Sequence, residues 1–95
     1  MKKKLILQVG DGAIVTVSHI MQKPYGLVVV GAVTEGEIHK GNPVNIPAEG
    51  KEPLPDEITR IEFFGDEIEK AALGLEVGIC LKTTSKESLL EHLGN

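Results

Sequence analysis

The side chains with the most obvious chemical potential are carboxylates, of which the 95-residue chain has 14. Glu35 and Glu37 flank one glycine, and Asp66, Glu67 and Glu69 form a second group. Paired acids can act as general acid and base when burial separates their pKa values. Both groups fall where glycine and polar residues predict turns. We therefore interpret them as solvated charge.

Metal-binding and nucleophilic side chains are few and scattered. His19, His39 and His92 have no metal-ligand spacing to one another or to Cys80. Cys80 lies in an apolar run, where a free thiol packs as a small hydrophobic side chain. The sequence has no G-x-x-x-x-G-K-S/T phosphate-binding loop, so we expect this chain to bind no GTP itself. We predict a protein that is not an enzyme, with no catalytic residues, no metal and no cofactor.

The charge balance argues against a general nucleic-acid binder. The formal net charge is −4 at pH 7, whereas nonspecific nucleic-acid binding depends on a positive excess. Lys2, Lys3 and Lys4 form the one basic cluster, which we interpret as a solvated chain end. The apolar stretches are far shorter than the roughly 20 residues that span a membrane. With one cysteine and no recognisable secretory signal, these features predict a cytoplasmic protein without a membrane partner.

The strands and turns that must position these side chains are indicated by the spacing of apolar residues and by the glycines and prolines between the apolar runs. Alternation of apolar and polar residues, with many β-branched side chains, predicts strands. They span residues 5–9, 13–20, 27–33, 44–46, 58–64 and 76–83. Gly31, inside the third strand, predicts a bend or bulge of the kind that small barrels need.

The remaining segments are predicted as a loop and two helical pieces. Residues 47–57 contain three prolines and are predicted to form an exposed loop. Residues 66–73 are compatible with one helical turn. Ser85 is predicted to cap a short terminal helix that Gly94 ends, with leucines at 89, 90 and 93 on one face. The chain is therefore predicted to be mostly β with one small helix.

Two ordered blocks carry a family resemblance. Residues 31–46 follow the pattern G-x-V-x-x-G-x-I-x-x-G-x-x-V-x-I, and residues 58–64 and 71–81 follow I-x-x-I-E-x-F and A-x-x-G-x-x-V-G-I-x-L. These blocks closely resemble domain two of the elongation factor Tu class of translational GTPases. The resemblance covers roughly residues 13–90, which is most of the chain.

The resemblance implies an all-β fold: a small closed six- to seven-stranded β-barrel with a short C-terminal helix. We expect residues 1–95 to form this single domain without the GTPase. The apolar positions Val33, Ile38, Val44 and Ile46 are predicted to face the barrel interior. We also predict that strand 5–9 takes the place of the family's final barrel strand, as in a circular permutation, because an open barrel would leave an unpaired edge.

The resemblance further implies a non-catalytic binding module that contacts tRNA, the ribosome or a translation factor. Candidate contact residues are Tyr25 as a stacking surface, and Lys40 and Arg60 as phosphate contacts. Each could instead be an ordinary surface residue. Glu76 is the fourth candidate for contact with RNA or a partner: it occupies the position of an asparagine used near the aminoacyl end, and an ionised carboxylate cannot donate a hydrogen bond. The alternative is a protein-interaction or assembly domain that kept the barrel and lost the RNA surface.

Overall fold

The computed structural model describes residues 5–94, so Lys2, Lys3 and Lys4 lie outside the described residues. The elements in chain order are β1 (Ile6–Val9), β2 (Ala13–Lys23), β3 (Gly26–Glu35), β4 (Ile38–His39), β5 (Pro43–Ala48), β6 (Lys51–Phe63), β7 (Asp66–Ile68), β8 (Lys70–Ala71), β9 (Glu76–Leu81) and α1 (Lys86–His92). Within this part of the chain, no helix has the length and apolar character that a membrane crossing requires.

The main sheet closes on itself. Its strand order is β5-β1-β2-β3-β9-β6-β7, and β5 also pairs with β6. The first six strands of this order therefore form a closed antiparallel barrel, and β7 continues the sheet outside it. β4 and β8 form a separate two-stranded sheet. The prediction of a small closed barrel with a short C-terminal helix is confirmed.

The strand predicted over residues 5–9 belongs to the barrel wall. β1 pairs antiparallel with β2, where Leu7 lies opposite Val15, and with β5, where Val9 lies opposite Val44. The turn between β1 and β2 uses Gly10 and Gly12, both with positive φ. The equivalence of β1 to the final strand of a related barrel stays a prediction.

The loop predicted over residues 47–57 is wrong. β5 continues to Ala48, a two-residue turn follows, and β6 begins at Lys51. Pro53 and Pro55 are tolerated in β6 because residues 51–57 pair only with β5, and β9 joins β6 from Ile58 onward. Pro47 lies in β5 at the register shift between Ile46 and Ala48. An amide hydrogen that faces no partner strand can be absent without losing a ladder bond.

The helical turn predicted over residues 66–73 is also wrong, because this segment forms β7 and β8. The preceding turn, at Phe64 and Gly65, reverses the chain so that Ile68 pairs with Ile61. A single helical turn is costly to nucleate. The hairpin instead forms backbone hydrogen bonds and packs Ile68 against the core.

The apolar positions of the first resemblance block are buried as predicted. Val33, Ile38, Val44 and Ile46 are each at most 1% exposed and belong to one core cluster. Leu89 of α1 enters the same cluster. The helix therefore contributes to the barrel core.

Helix α1 has the predicted cap. The Ser85 side chain accepts from the Ser88 backbone N–H, and the Ser88 hydroxyl accepts in return from the Ser85 N–H. At the other end Gly94 has a φ of 83°, the left-handed conformation that ends helices. Lys51 Nζ donates to the carbonyls of Glu91 and His92 at 3.1 and 3.0 Å. This cation stabilises the negative end of the helix dipole.

Asp56 attaches the segment before the helix to β6. Its carboxylate accepts the backbone N–H groups of Glu57, Thr83 and Thr84 at 2.8, 3.0 and 2.7 Å, and also the Thr84 hydroxyl. Burial raises the pKa of Asp56, but these hydrogen bonds outweigh it, so the pKa lies below its usual value.

Gly31 marks the bulge that the sequence predicted. The β2–β3 register shifts between Val17 and His19, opposite this glycine. A Cβ at position 31 would lie 2.5 Å from the Thr16 carbonyl oxygen and 2.9 Å from Val15 Cγ1. The strands can approach this closely only because residue 31 has no side chain.

Replacing Gly31 with alanine is expected to destabilise the fold by about 2 kcal/mol, the usual cost of overpacking a rigid site. The matched control is Gly78→Ala, whose Cβ would meet a side-chain methyl at 3.1 Å and no backbone atom. Urea unfolding measures both variants. Equal losses of stability would contradict a special role for the β2–β3 approach.

Replacing Asp56 with asparagine is expected to cost about 2 kcal/mol at pH 7, because a charge-assisted acceptor is lost from several N–H donors. The folded-state pKa lies below the unfolded-state value of about 3.9. The contribution of Asp56 is therefore complete above that pH and is lost as the pH falls through the folded-state pKa. Urea unfolding should show a smaller difference in the free energy of unfolding between wild type and Asp56→Asn near pH 3 than at pH 7. Asp11→Asn, in an exposed turn, should show no such difference.

Candidate functional site

The outer surface of β9 and β6 carries the candidate site. Along β9, Val77 and Ile79 point into the core, so Gly78 and Cys80 face outward, since side chains alternate along a strand. Arg60 pairs with Cys80 and Glu62 with Gly78, so these two β6 residues share that face. We define this outward side of β6, β7 and β9 as the outer face.

Three of the four predicted site residues meet in one polar network on the outer face. The Tyr25 hydroxyl donates to Glu62 at 3.4 Å. Arg60 Nε lies 2.9 Å from Glu62 Oε2, and its Nη1 lies 3.8 Å from Glu67 Oε1. Lys40 Nζ donates to the second oxygen of Glu67 at 3.1 Å. The two glutamates thus connect Tyr25, Arg60 and Lys40.

Two local features place these side chains. The β6–β7 hairpin sets Glu62 directly opposite Glu67, an arrangement of like charges that is unfavourable alone. The β6–β9 register shifts between Ile58 and Arg60, and the extra residue, Thr59, donates its hydroxyl to the Cys80 carbonyl at 3.2 Å. This irregularity turns Arg60 onto the outer face, where it lies between the two carboxylates.

Within the network, Lys40 and Glu67 each stabilise the charged form of the other. Lys40 donates to Glu67 and holds the pKa of that carboxyl below its ordinary value. The same contact raises the pKa of Lys40. Both groups are therefore charged at neutral pH. Because both are exposed, the pair adds little to folding stability, and its main effect is to fix where the charges stand.

Glu76 does not join this network. It lies at the start of β9 on the outer face, and its carboxylate accepts from the Ser18 hydroxyl at 3.5 Å. The structure therefore separates the residue suggested by the aminoacyl-end alignment from Tyr25, Arg60 and Lys40.

The surface beneath the network is closely packed. Cys80 is 7% exposed, and burial together with the Glu62 carboxylate raises the pKa of its thiol. A Cβ at Gly78 would lie 3.1 Å from Val28 Cγ1 and 3.8 Å from Glu62 Oε1. Cys80 is thus a packed side chain, as its apolar sequence context predicts, and has no thiolate character at neutral pH.

The sequence interpretation missed Phe64, which follows the network in the β6–β7 turn. Its side chain is 92% exposed. Its φ is 51°, the only positive φ at a non-glycine residue between positions 5 and 94. Such a backbone costs on the order of 1 kcal/mol for a bulky residue. The signal available in the sequence was an aromatic before Gly65, where a two-residue hairpin turn favours asparagine.

A concave region separate from the outer face lies near the β1–β2 turn. It encloses about 310 Å³ and is lined in part by Asp11, Glu37, His39 and Asn42. Glu37 and His39 contact each other at 3.0 Å, and the His39 backbone N–H donates to the Asn42 side chain. Between residues 5 and 94, no three His, Cys, Asp or Glu side chains cluster closely enough to hold a metal ion.

No model of a known protein family matches the chain. The likeness to the elongation factor domain is therefore an expectation from sequence, whereas the barrel itself is established by the structure.

The network predicts an elevated pKa for Tyr25. Partial burial of its hydroxyl and the charge and hydrogen bond of Glu62 all raise this pKa above the ordinary value of about 10. Tyr25 is the only tyrosine and the chain has no tryptophan, so absorbance near 295 nm reports its ionisation alone. Glu62→Gln should lower the pH at the midpoint of the Tyr25 titration, whereas Glu76→Gln should leave it unchanged. An unchanged midpoint in Glu62→Gln would show that the contact does not persist in solution.

Proposed function

We propose that this chain is a non-catalytic binding module and that its partner is another protein. One observation carries the proposal: Lys40 and Arg60, suggested by the sequence as phosphate contacts, are both paired with the carboxylates of Glu62 and Glu67. A nucleic-acid backbone would have to displace these carboxylates before reaching either cation. A protein surface could meet donors, acceptors and charges of both signs in place.

Tyr25 suits such a contact. Its side chain is 59% exposed, while its hydroxyl is directed to Glu62. An aromatic that is already oriented loses little conformational freedom on binding, which is why tyrosine is common among binding hot spots. Tyr25 is therefore the proposed anchor at one side of the network.

Contact with tRNA or the ribosome is the second candidate. It is favoured by the resemblance of residues 31–46 and 58–64 to the elongation factor domain and by the exposed ring of Tyr25, which could stack on a base. The two candidates require different behaviour of the network. With a protein partner, Glu62 and Glu67 keep phosphate away from Lys40 and Arg60, whereas binding of tRNA or the ribosome requires these ion pairs to break.

The test compares tRNA binding by wild type and by Glu62→Gln/Glu67→Gln, which removes the carboxylates that hold Lys40 and Arg60. Wild type is expected to show no salt-dependent binding to bulk tRNA at micromolar concentration. The double variant should gain binding that weakens steeply with salt, because two cations become available to phosphate.

The matched control is Glu35→Gln/Glu52→Gln, which changes net charge equally at exposed positions. Equal gains in both double variants would show that net charge alone matters. Affinity capture from cell extract, repeated after nuclease treatment, completes the test. Capture that survives nuclease and is lost in Tyr25→Ala supports the protein partner, whereas capture abolished by nuclease, or tRNA binding by wild type, overturns it.

A further inference from the structure

Strand β7 presents an unpaired edge. Within the part of the chain that the structure describes, β7 pairs only with β6, so its second edge has no partner strand. An open edge offers backbone N–H and C=O groups to an added strand. Asp66 and Glu67 occupy this strand and are exposed.

Phe64 stands at the start of this edge. Its ring contacts Phe63 edge-on, with centroids 4.6 Å apart, yet 92% of the side chain remains exposed. Phenylalanine is a poor choice for a turn position with positive φ and gains little from burial there. Observed strain of this kind points to a role outside folding.

The charges near this edge favour a positively charged partner segment. Glu62, Glu67 and Asp66 lie on the hairpin, and Arg60 and Lys40 offset only the first two. An approaching strand therefore meets a surplus of negative charge beside one exposed aromatic ring. The same surplus disfavours pairing of two β7 edges from two copies, because like charges would face each other.

We propose that the β6–β7 hairpin docks an extended segment of another protein that carries lysine or arginine beside apolar residues. The segment adds a strand to β7, its cations face Asp66, whose charge Lys40 and Arg60 do not offset, and an apolar side chain covers Phe64. This inference rests on the proposed function as a protein-binding module and names the partner chemistry and the docking mode.

The probe is a synthetic twelve-residue peptide of alternating lysine and valine, and a glutamate–valine peptide of equal length is its counterpart. Binding is followed by amide chemical shifts in the labelled full chain. Shifts and slowed amide exchange are expected at residues 64–69 with the lysine peptide and not with the glutamate peptide. Binding of both peptides alike, or shifts centred elsewhere, would overturn the proposal.

Phe64→Asn separates binding from folding. Asparagine is favoured in this turn, so the variant should unfold at a higher temperature, by roughly 4 °C for a domain of this size. It should nevertheless bind the lysine peptide at least about tenfold more weakly, as expected for loss of an anchor. Leu73→Ser is the matched control, because Leu73 is also a large exposed hydrophobic residue, at 65%. Equal affinity in wild type and Phe64→Asn would contradict the proposal.

Sedimentation of the wild type decides on self-pairing: a dimer abolished by Phe64→Asn would make a second copy the occupant and refute the basic partner. The outcomes distinguish an error in the docking mode from an error in the proposed function. If extract capture is nuclease-resistant and depends on Tyr25, but the lysine peptide does not bind, only the docking mode is wrong. If capture requires nucleic acid, the proposed function itself is wrong.

Discussion

Strand β6 pairs with β5 through its first half and with β9 through its second half, and this change of partner closes the barrel. Asp56 lies before the change and holds the segment that leads to α1. Arg60 and Glu62 lie after it and form the centre of the outer-face network. One long strand thus links closure, attachment of the helix and placement of the candidate site.

The sequence predicted the elements whose pattern is local. Alternation located the barrel strands, glycine located the bulge at Gly31, and the Ser85 cap located the helix. Residues 47–57 were misassigned because proline is read as a loop signal. Its compatibility with a strand that pairs on one side depends on where β9 ends, because Leu81 is the β9 residue opposite Ile58, and this is a property of the tertiary arrangement.

Three members of the outer-face network were predicted from the sequence, but their connections were not. Tyr25 was identified as a stacking surface, and Lys40 and Arg60 were identified separately as phosphate contacts. Glu62 and Glu67, which join them, come together only through the register of the β6–β7 hairpin. A one-residue difference in register would move either carboxylate to the other side of the sheet. The pairing that redirects the functional interpretation therefore could not be read from composition or spacing.

The strand order also constrains how the chain acquires its fold. β9 is the last strand in sequence among residues 5–94, yet it lies between β3 and β6 in the barrel wall. Until residues 76–81 insert there, β3 and β6 each expose an edge that later becomes internal. During synthesis the nascent chain therefore has two open strand edges until residues 76–81 emerge. Intermediates with open edges are prone to intermolecular strand pairing. β9 pairs with a strand far from it in sequence, and folds dominated by such non-local pairing form slowly.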